Sequence, residues 1–516
     1  MIRLSSCDTI SDLYVRSCQS KGREIIFADD GGNALSGDRA LDISLRFAGA
    51  LNSLGARQPG DVVAFLCLGS ASHAVAWFGT VVGGRVACNL HIRGETVERI
   101  AEALDWVGAK VLVHDPDLSK IATEAVKATG RSIVRVALSD GSPDTNSFYS
   151  LVSQQQAIDY AANRPAPDVL GAIALSSGST GKPKGVMHSQ YSLLESSKAG
   201  QNVLECVSPN DCLLVVMNPS FVAWQLFVLA GLGGKAKTFL LRRFEAETVL
   251  ELIEQELITI LPLIPTMWRM LMDSSPEACD LTSLRLASVG GESPSAALVE
   301  RLRSVICDRI VGTYMASESG TASTIVVRTE DIIVHNKAGS TGLPTLGADM
   351  KIIDPDGDID DEMSVGETGE IAVSSPSLAM GYWREPDLTA KKFVRGWWRS
   401  GDLGHIDTDG YLWVDGRVDN VINTGGIKVH AEEVEAALGR HPQVQHCAVV
   451  GRADSKFGQR IEAFIIASDP APTAETLDRF LREEQKLSSH KVPKVFNFVS
   501  ELPIGSTGKV NRRALR

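Results

Sequence analysis

The sequence contains the stretch Ser176-Ser-Gly-Ser-Thr-Gly-Lys-Pro-Lys-Gly185, directly after an apolar run that ends at Leu175. Its three glycines allow a tight turn that brings backbone N–H groups close to a ligand. Four hydroxyl side chains and two lysines add donors and positive charge, so the composition suits a phosphate-binding loop. The spacing differs from that of a Walker A loop. A flexible Gly/Ser surface turn is the alternative, but such a turn rarely follows directly on a buried strand.

Apolar runs and helical patterns alternate around this loop, up to about residue 320. Residues 70–82 are predicted as a helix. Strands are predicted at Val62–Cys67, Lys110–His114, Asp168–Leu175, Cys212–Met217, Lys237–Leu241, Ile258–Ile264, Leu284–Val289 and Arg309–Tyr314. Continuous apolar strands separated by helices are typical of parallel sheets covered on both faces. We therefore predict an α/β fold.

The pattern changes after residue 340. Short strands with many Gly, Asp and Pro turns predict a small, mostly antiparallel β subdomain up to about residue 415. A mixed pattern follows, with helices predicted at Ala431–Leu438 and Thr473–Leu487 and strands at Gln445–Val450 and Arg460–Ala467. The prediction is thus two doubly wound α/β subdomains and a small β subdomain in residues 1–418, then a small α+β domain in residues 419–516.

Length, charge and cysteine content exclude some classes of protein. The chain has 516 residues, so two or more domains are expected. Its formal net charge of -12 argues against general nucleic-acid binding, which needs a large basic surface. The nine cysteines form no CxxC pair, which indicates buried thiols in a reducing compartment. The first ten residues lack an apolar run and no stretch has the length of a membrane span, so a cytoplasmic protein is expected.

The loop at residues 176–185 resembles the signature [ST]SG[ST]TGxPKG of the acyl-adenylate-forming superfamily. This superfamily includes acyl-CoA synthetases, the adenylation domains of peptide synthetases and firefly-type luciferases. Further matching segments follow in family order over roughly residues 40–510. The resemblance implies that ATP phosphates are bound by Ser176, Ser177, Gly178, Ser179, Thr180, Gly181, Lys182 and Lys184. Thr180 is also expected to reach the metal ion.

Two segments resemble the parts of the family that surround adenine. Val289-Gly-Gly-Glu-Ser-Pro294 is similar to the segment beside the base, and Gly312-Thr-Tyr-Met-Ala-Ser-Glu318 is similar to the YGxTE motif. The resemblance implies that Tyr314 stacks on adenine and that Glu318 holds Mg²⁺, for which a carboxylate oxygen is a suitable ligand. The other nucleotide-binding residues implied here are Gly290, Gly291, Glu292, Gly312, Thr313 and Ser317.

The remaining matches lie towards the C-terminus. Trp398-Arg-Ser-Gly-Asp402 resembles [YF]RTGD, which implies that Asp402 accepts hydrogen bonds from the ribose hydroxyls. Gly416-Arg-Val-Asp-Asn420 resembles the GRxD hinge, with Arg417 at the nucleotide and Asp419 as pivot. Leu502-Pro-Ile-Gly-Ser-Thr-Gly-Lys509 resembles the segment of the catalytic lysine, Lys509. Gly425 and Gly426 match the segment that lies along the pantetheine arm in CoA-forming relatives. A short Gly-Gly turn is the structural alternative.

The implied activity is ATP- and Mg²⁺-dependent ligation of a carboxylic acid to coenzyme A through an acyl-adenylate, with the C-terminal domain rotating between the two half-reactions. The implied partners are small molecules, and a homodimer is left open. A ligase that loads a carrier protein, and a catalytically silent nucleotide-binding protein, are the alternatives. Retention of the loop, Glu318, Asp402 and Lys509 argues against the silent protein.

The acid-binding segment is expected at Asn218-Pro-Ser-Phe-Val-Ala-Trp-Gln225. Many acyl-CoA synthetases have His where Val222 stands, so the substrate class does not transfer directly. The segment contains no acidic residue, which disfavours an amino acid as substrate. We predict an apolar acyl pocket, for a fatty acid rather than an aromatic acid, although its residues could equally be ordinary core. The predicted pocket residues are Phe221, Val222, Trp224 and Met315.

Overall fold

The computed structural model describes residues 2, 6–92, 95–138, 146–176, 184–291, 294–320, 325–503 and 510–516. Within these ranges the chain forms fifteen α-helices. They are α1 (Ile10–Lys21), α2 (Gly37–Ser53), α3 (Ala71–Val82), α4 (Val97–Val107), α5 (Ser119–Ala128), α6 (Phe148–Gln154), α7 (Gln190–Val203), α8 (Val222–Gly234), α9 (Ala246–Glu256), α10 (Pro265–Asp273), α11 (Ala296–Val305), α12 (Thr329–Ile333), α13 (Pro386–Lys392), α14 (Ala431–Leu438) and α15 (Ala474–Arg479).

The same ranges contain 27 β-strands in four sheets. The strands are β1 (Ile25–Asp29), β2 (Ala34–Ser36), β3 (Val62–Leu66), β4 (Val86–Asn89), β5 (Val111–His114), β6 (Val134–Ala137), β7 (Asn146–Ser147), β8 (Leu170–Ser176), β9 (Lys184–Ser189), β10 (Cys212–Val215), β11 (Lys237–Leu240), β12 (Ile260–Leu263), β13 (Leu286–Gly290), β14 (Ile310–Tyr314), β15 (Ile325–Arg328), β16 (Leu343–Pro344), β17 (Asp349–Ile353), β18 (Gly369–Ser374), β19 (Gly381–Tyr382), β20 (Phe393–Val394), β21 (Trp397–Ile406), β22 (Leu412–Arg417), β23 (Val421–Thr424), β24 (Ile427–His430), β25 (Val444–Asp454), β26 (Gly458–Ala467) and β27 (Val495–Phe498).

The chain divides into two compact units. The first contains the described residues of 1–350 together with 373–398, and the second contains 351–372 together with the described residues of 399–516. Asp419 lies inside the second unit, so the domain division at this residue stays a prediction.

The first unit is built on two large sheets. One has nine strands in the order β16-β15-β14-β13-β12-β10-β11-β1-β2, and the other has eight in the order β19-β9-β8-β4-β3-β5-β6-β7. The inner strands pair in parallel, whereas antiparallel strands are added at both ends of the nine-stranded sheet and at one end of the eight-stranded sheet. Parallel strands require crossover connections, and helices provide them here, which explains the continuous apolar runs in the sequence. The predicted α/β fold is confirmed.

Close helix packing supports the core of this unit. All twelve residues of α3 are buried. A Cβ atom added at Gly79 would lie 2.8 Å from the carbonyl oxygen of Ser44, so α2 and α3 approach each other more closely than larger side chains would allow. The rings of Tyr14 and Phe78 stack with centroids 4.3 Å apart in the same core.

The second unit holds most of the third sheet and all of the fourth. The third has the order β17-β18-β21-β20, with β22 paired to β21, and the fourth has the order β24-β23-β26-β25, with β27 paired to β26. Pairing in the fourth sheet is antiparallel except between β26 and β27. The predicted change to antiparallel strands after residue 340, and the α+β character of the C-terminal part, are therefore confirmed.

Three details differ from the sequence predictions or extend them. The helix predicted at Thr473–Leu487 is α-helical only to Arg479, and a π-helical turn follows at Phe480–Glu484. Not all cysteine thiols are buried, because Cys206 is exposed. In the described ranges, none of the helices combines the length and the apolar character that a membrane crossing needs.

Candidate active site

Two paired strands hold the ends of the predicted phosphate loop. β8 ends at Ser176, β9 begins at Lys184, and these two residues are direct partners in an antiparallel ladder. Both ends of the loop are therefore fixed side by side in the eight-stranded sheet. The loop residues Ser177, Gly178, Ser179, Thr180, Gly181 and Lys182 lie outside the described residues. Their contacts stay predictions.

Lys184, Tyr382 and Glu318 form a connected group in the first unit. Nζ of Lys184 lies 5.4 Å from the centroid of the Tyr382 ring, where the ring face attracts a cation. The Tyr382 hydroxyl donates a hydrogen bond of 3.0 Å to Oε1 of Glu318. Strand β19 holds Tyr382 opposite Val186 of β9, and the tyrosine is 3% exposed. One tyrosine therefore connects the last lysine of the predicted phosphate loop with the predicted metal ligand.

Backbone contacts fix the segment around Glu318. Its carbonyl oxygen accepts a hydrogen bond of 3.0 Å from the N–H of Ala379, and the carbonyl of Ser319 accepts one of 3.1 Å from the Ser377 hydroxyl. Gly320 has a φ of +95°, and a Cβ atom there would lie 2.2 Å from the carbonyl oxygen of Ser377. Any larger residue would push these segments apart. The carboxylate is thus carried on an anchored turn.

The segments predicted to surround adenine lie on neighbouring strands. Gly290 at the end of β13 is the register partner of Thr313 in β14. Oγ1 of Thr313 is buried and has no hydrogen-bond partner among the described residues. A Cβ atom at Gly312 would lie 2.5 Å from Cδ of Pro294, so glycine is needed for close packing there. The structure therefore brings these predicted residues together at one edge of the two strands.

The other predicted residues of this region lie next to that edge. Gly291 follows β13 with a φ of +89°, a conformation that favours glycine. Tyr314 is the last residue of β14, and Glu292 lies outside the described residues. Ser317 lies close to the buried His188. Burial lowers the pKa of His188 to about 4, and a polar contact with the Ser317 backbone opposes this shift.

Asp402 and Arg417 face each other in the second unit. They are register partners on β21 and β22, and Nη1 of Arg417 lies 3.4 Å from Oδ1 of Asp402. The Asp402 backbone N–H donates a 3.0 Å hydrogen bond to the Ser400 hydroxyl. The aspartate side chain is 17% exposed, so its carboxylate is partly open to solvent. The two predicted nucleotide-binding residues of this unit are therefore adjacent.

The predicted hinge and pantetheine segments also lie in the second unit. Asp419 is in a single 3₁₀ turn, and its carbonyl oxygen accepts a 3.0 Å hydrogen bond from the Arg516 guanidinium. Gly425 and Gly426 connect the antiparallel strands β23 and β24, with φ values of +60° and +82°. Two positive values are typical of a type I′ hairpin turn, so both glycines have a structural role in any case. Lys509 lies outside the described residues.

The predicted acyl segment forms one wall of a small cavity in the first unit. About 10 Å³ is available there to the centre of a water molecule. The walls come from α3, β4, β8 and the start of α8. The lining residues are Trp77, Asn89, Ile173, Ala174, Pro219, Ser220, Phe221, Val222 and Gln225. Two of the four predicted acyl residues, Phe221 and Val222, are therefore at this cavity.

The other two predicted acyl residues pack into the core. The Trp224 ring lies 4.7 Å from that of His73 and 6.1 Å from that of Trp77, measured between centroids. Met315 is partly buried against the same core. Neither residue lines the cavity formed by the described residues. On a helix, positions 222 and 225 share one face, whereas position 224 points away from it, so the position of Trp224 fits the alternative of an ordinary core residue.

Two residues at these sites, Tyr382 and Gln225, were not predicted from the sequence. Tyr382 contacts Glu318 only because β19 pairs with β9, and a two-residue strand leaves no periodic pattern in the sequence. Gln225 could have been found from its three-residue spacing to Val222, which places both on the same helix face.

Comparison with known proteins covers both units. A model of the AMP-binding enzyme family matches residues 15–383. The chain belongs to the AMP-binding enzyme family. A second model, of the AMP-binding enzyme C-terminal domain, matches residues 433–509. The resemblance to acyl-adenylate-forming enzymes, predicted from the motifs, is thereby confirmed.

Individual members of the AMP-binding enzyme family resemble the chain over nearly its full length. It is 31% identical to a feruloyl-CoA synthase from Amycolatopsis sp over 506 residues, which cover 94% of each chain. It is 27% identical to the fatty acid–[acyl-carrier-protein] ligase ScoC from Streptomyces coeruleorubidus over 491 residues, covering 94% of this chain and 92% of ScoC. The structure of ATP-bound MatB from Rhodopseudomonas palustris superposes with a TM-score of 0.85, at 25% identity and 98% coverage of each chain. Membership in the adenylate-forming ligases is therefore established, while acid and acceptor differ among these relatives.

Proposed function

We propose that this protein is an ATP-dependent acid–CoA ligase that works through an acyl-adenylate. The observation that supports this most directly is the group of Lys184, Tyr382 and Glu318 beside the paired ends of the phosphate loop. The carboxylate of Glu318 supplies oxygen atoms, which are the ligands that Mg²⁺ prefers, and the Tyr382 hydroxyl holds it in position. Lys184 adds positive charge for the phosphates. The donor set therefore fits a magnesium-bound triphosphate.

The first half-reaction activates the acid. A free carboxylate resists attack because its leaving group would be oxide. When one of its oxygens attacks the α-phosphorus of ATP, pyrophosphate leaves and that oxygen becomes part of a mixed anhydride with AMP. Glu318 and Thr180 would hold Mg²⁺, which would neutralise charge on the phosphate oxygens, as in other phosphoryl transfers. In this proposal Lys509 donates hydrogen bonds to the α-phosphate and the bridging oxygen.

The second half-reaction transfers the acyl group. The thiol of CoA loses its proton and attacks the acyl carbon, and AMP leaves with the bonding electrons. Asp402 is proposed to accept hydrogen bonds from the ribose hydroxyls, and Arg417 to contact the phosphate of the nucleotide. Asp419 is the proposed pivot that removes Lys509 and brings Gly425 and Gly426 to the pantetheine arm. Such a change needs only a few hinge residues.

The acid is proposed to have an apolar body. Trp77, Ile173, Phe221 and Val222 give the cavity apolar walls. A fatty acid and an aromatic acid both suit such walls. The relative with 31% identity, a feruloyl-CoA synthase, supports the aromatic class, and ScoC supports the fatty class.

Pyrophosphate release tests this proposal. The purified protein is given ATP and Mg²⁺ with a panel of fatty, aromatic and short-chain acids, with and without CoA. We expect pyrophosphate and AMP with one class of acid, and multiple turnovers only when CoA is present. Reactions without acid are the control. Absence of acid-dependent pyrophosphate across the panel would reject the proposal and favour a nucleotide-binding protein without ligase activity.

A carrier protein is the second candidate acceptor, because ScoC resembles the chain along nearly its full length and loads an acyl-carrier protein. The same assay, with CoA replaced by a phosphopantetheinylated carrier protein, separates the two acceptors. Faster acyl transfer to the carrier than to CoA would favour this second candidate.

A further inference from the structure

Gln225 is a buried amide on the wall of the acyl cavity. It lies in the first turn of α8 and is 5% exposed. Its Nε2 is buried and has no hydrogen-bond partner among the described residues. Leaving a buried donor unpaired is costly, so a group of this kind in a folded protein usually has a purpose.

One polar neighbour on the same wall, Asn89, is already paired. Oδ1 of Asn89 lies 3.0 Å from Nε2 of His73, and Nδ2 of Asn89 donates a 2.9 Å hydrogen bond to the carbonyl oxygen of Pro219. Asn89 therefore anchors the segment that leads into α8. The Gln225 amide remains as a donor that the described part of the chain does not use.

The apolar lining residues cannot supply a partner. Trp77, Ile173, Phe221 and Val222 present carbon atoms or, in the indole, a further donor. Ser220 also lines the cavity, but no hydrogen bond joins it to Gln225 Nε2 among the described residues. An acceptor that enters with a ligand would pair this amide. Six of the nine lining residues are apolar, which favours a ligand whose body is apolar.

Strand β8 connects the cavity with the start of the predicted phosphate loop, where the acid is proposed to react. Ala174 lines the cavity, and β8 ends two residues later at Ser176, where the predicted phosphate loop begins. At about 3.3 Å per residue this separation is roughly 7 Å. The acceptor therefore belongs at the far end of the acid. Because the cavity is small, side chains such as Phe221 must move when the acid enters.

We infer that Gln225 recognises an oxygen atom at the distal end of the acid. The substrate is then an acid with an apolar body that carries a hydroxyl, ether or carbonyl oxygen remote from the carboxylate. This inference rests on the proposed ligase function. The inference limits the proposed substrates to apolar acids that carry a polar group at the distal end. Gln225 is then a specificity-determining residue.

Matched acid pairs test the inference. The probes are cinnamate against its para-hydroxy and para-methoxy derivatives, and octanoate against its terminal hydroxy derivative. kcat/KM is measured by pyrophosphate release. In the unmodified protein we expect the oxygenated acid of at least one pair to be preferred by about tenfold or more. In Gln225→Leu the ratio of kcat/KM for the oxygenated acid to kcat/KM for the plain acid should fall towards one. The oxygenated acid loses its hydrogen-bond donor, while the plain acid keeps its contacts.

Gln201→Leu is the matched control. Nε2 of Gln201 donates to the carbonyl of Ala230 on the neighbouring helix, and Gln201 does not line the cavity. This variant should keep the acid ratio of the unmodified protein. Thermal melting with and without ATP confirms that both variants fold and bind nucleotide. If Gln225→Leu itself fails to fold, Gln225→Met provides the same loss of the amide with a closer match in shape.

Two failures are distinguishable. Turnover of plain acids with an unchanged ratio in Gln225→Leu would overturn this inference alone and give the amide a structural role. Absence of pyrophosphate with every acid would overturn the proposed function and the inference together.

Discussion

The hydroxyl of Tyr382 donates a hydrogen bond of 3.0 Å to Oε1 of Glu318, although the two residues are 64 positions apart. The two-residue strand β19 makes this contact possible, since it places the tyrosine opposite Val186 on β9. The strand that follows the predicted phosphate loop thereby also positions the partner of the predicted metal ligand. Several experiments can test the consequences of this arrangement.

Tyr382→Phe should slow adenylation about fivefold to tenfold. The substitution removes one hydrogen bond, worth about 1 kcal/mol, but keeps the ring below Lys184. Because Glu318 is then less firmly positioned, half-maximal activity should also require more Mg²⁺. Pyrophosphate release is measured over a range of Mg²⁺ concentrations. Tyr191→Phe, at a tyrosine that is 44% exposed, is the control. An unchanged Mg²⁺ dependence in Tyr382→Phe would contradict the proposed role.

Lys509→Ala should abolish adenylation and largely spare thioester formation from a supplied acyl-adenylate. The lysine is proposed to act on the α-phosphate only in the first half-reaction. Pyrophosphate release and acyl transfer to CoA are measured separately. Equal loss in both half-reactions would reject the assignment.

Asp402→Asn should raise the KM for ATP about tenfold or more, because hydrogen bonds from the ribose hydroxyls to a charged acceptor are replaced by weaker ones. Asp415→Asn is a matched control on the neighbouring strand. The Asp415 carboxylate contacts His405 at 3.0 Å and accepts a 2.8 Å hydrogen bond from Thr368, and it has no proposed role in binding. A similar rise in KM for both variants would indicate a general effect on this sheet.

Gly320→Ala should destabilise the protein more than Gly60→Ala. Both glycines have positive φ, at +95° and +88°, so each substitution carries a backbone cost of about 1 kcal/mol. Only at Gly320 would the new Cβ overlap another atom, the Ser377 carbonyl oxygen, whereas the Gly60 position has open space. This overlap should lower the free energy of unfolding by a further roughly 1–3 kcal/mol. Thermal melting measures the difference, and equal shifts would refute the packing argument.

Acidification should destabilise the fold through buried histidines. Burial lowers the pKa of both His73 and His188 from 6.5 to about 4. Between these pH values the unfolded chain binds a proton that the folded chain does not, so stability falls as pH falls, by about 1.4 kcal/mol per pH unit for each histidine.

Urea unfolding between pH 7 and pH 4.5 tests this dependence. His188→Leu should weaken the pH dependence by the contribution of one histidine, and His335→Leu, at an exposed histidine, should leave it unchanged. If His188→Leu and the unmodified protein lose stability in parallel, another group controls the acid response.

Much of the fold was predictable because its signals are local. Buried parallel strands such as β3 are continuous apolar runs, and α14 was predicted to the residue. Strand ends moved by one to a few residues, and the last predicted helix changes to a π-helical turn after Arg479. Phe480 and Leu481 in this turn are both buried, and a helical period of apolar residues does not distinguish a π-helical turn from an α-helical one.

Residues of the candidate site could be predicted only where they belong to a sequence motif. The motifs named Gly290, Thr313, Asp402 and Arg417 one by one, and the sheets pair Gly290 with Thr313 and Asp402 with Arg417. Their contacts with a nucleotide stay predictions. Tyr382 depends on long-range strand pairing. Trp224 was assigned from its residue type, and the helix turned it into the core.

Helix α8 contributes to both core packing and the cavity wall, and it uses different residues for each. Trp224 and its neighbours on one side hold the core together, while positions 222 and 225 on the other side form the cavity wall. Substitutions at positions 222 and 225 can therefore leave the core contacts of Trp224 in place. Under the proposed function, descendants of one ancestral chain could change the acid they accept at these two positions while the scaffold keeps its stability.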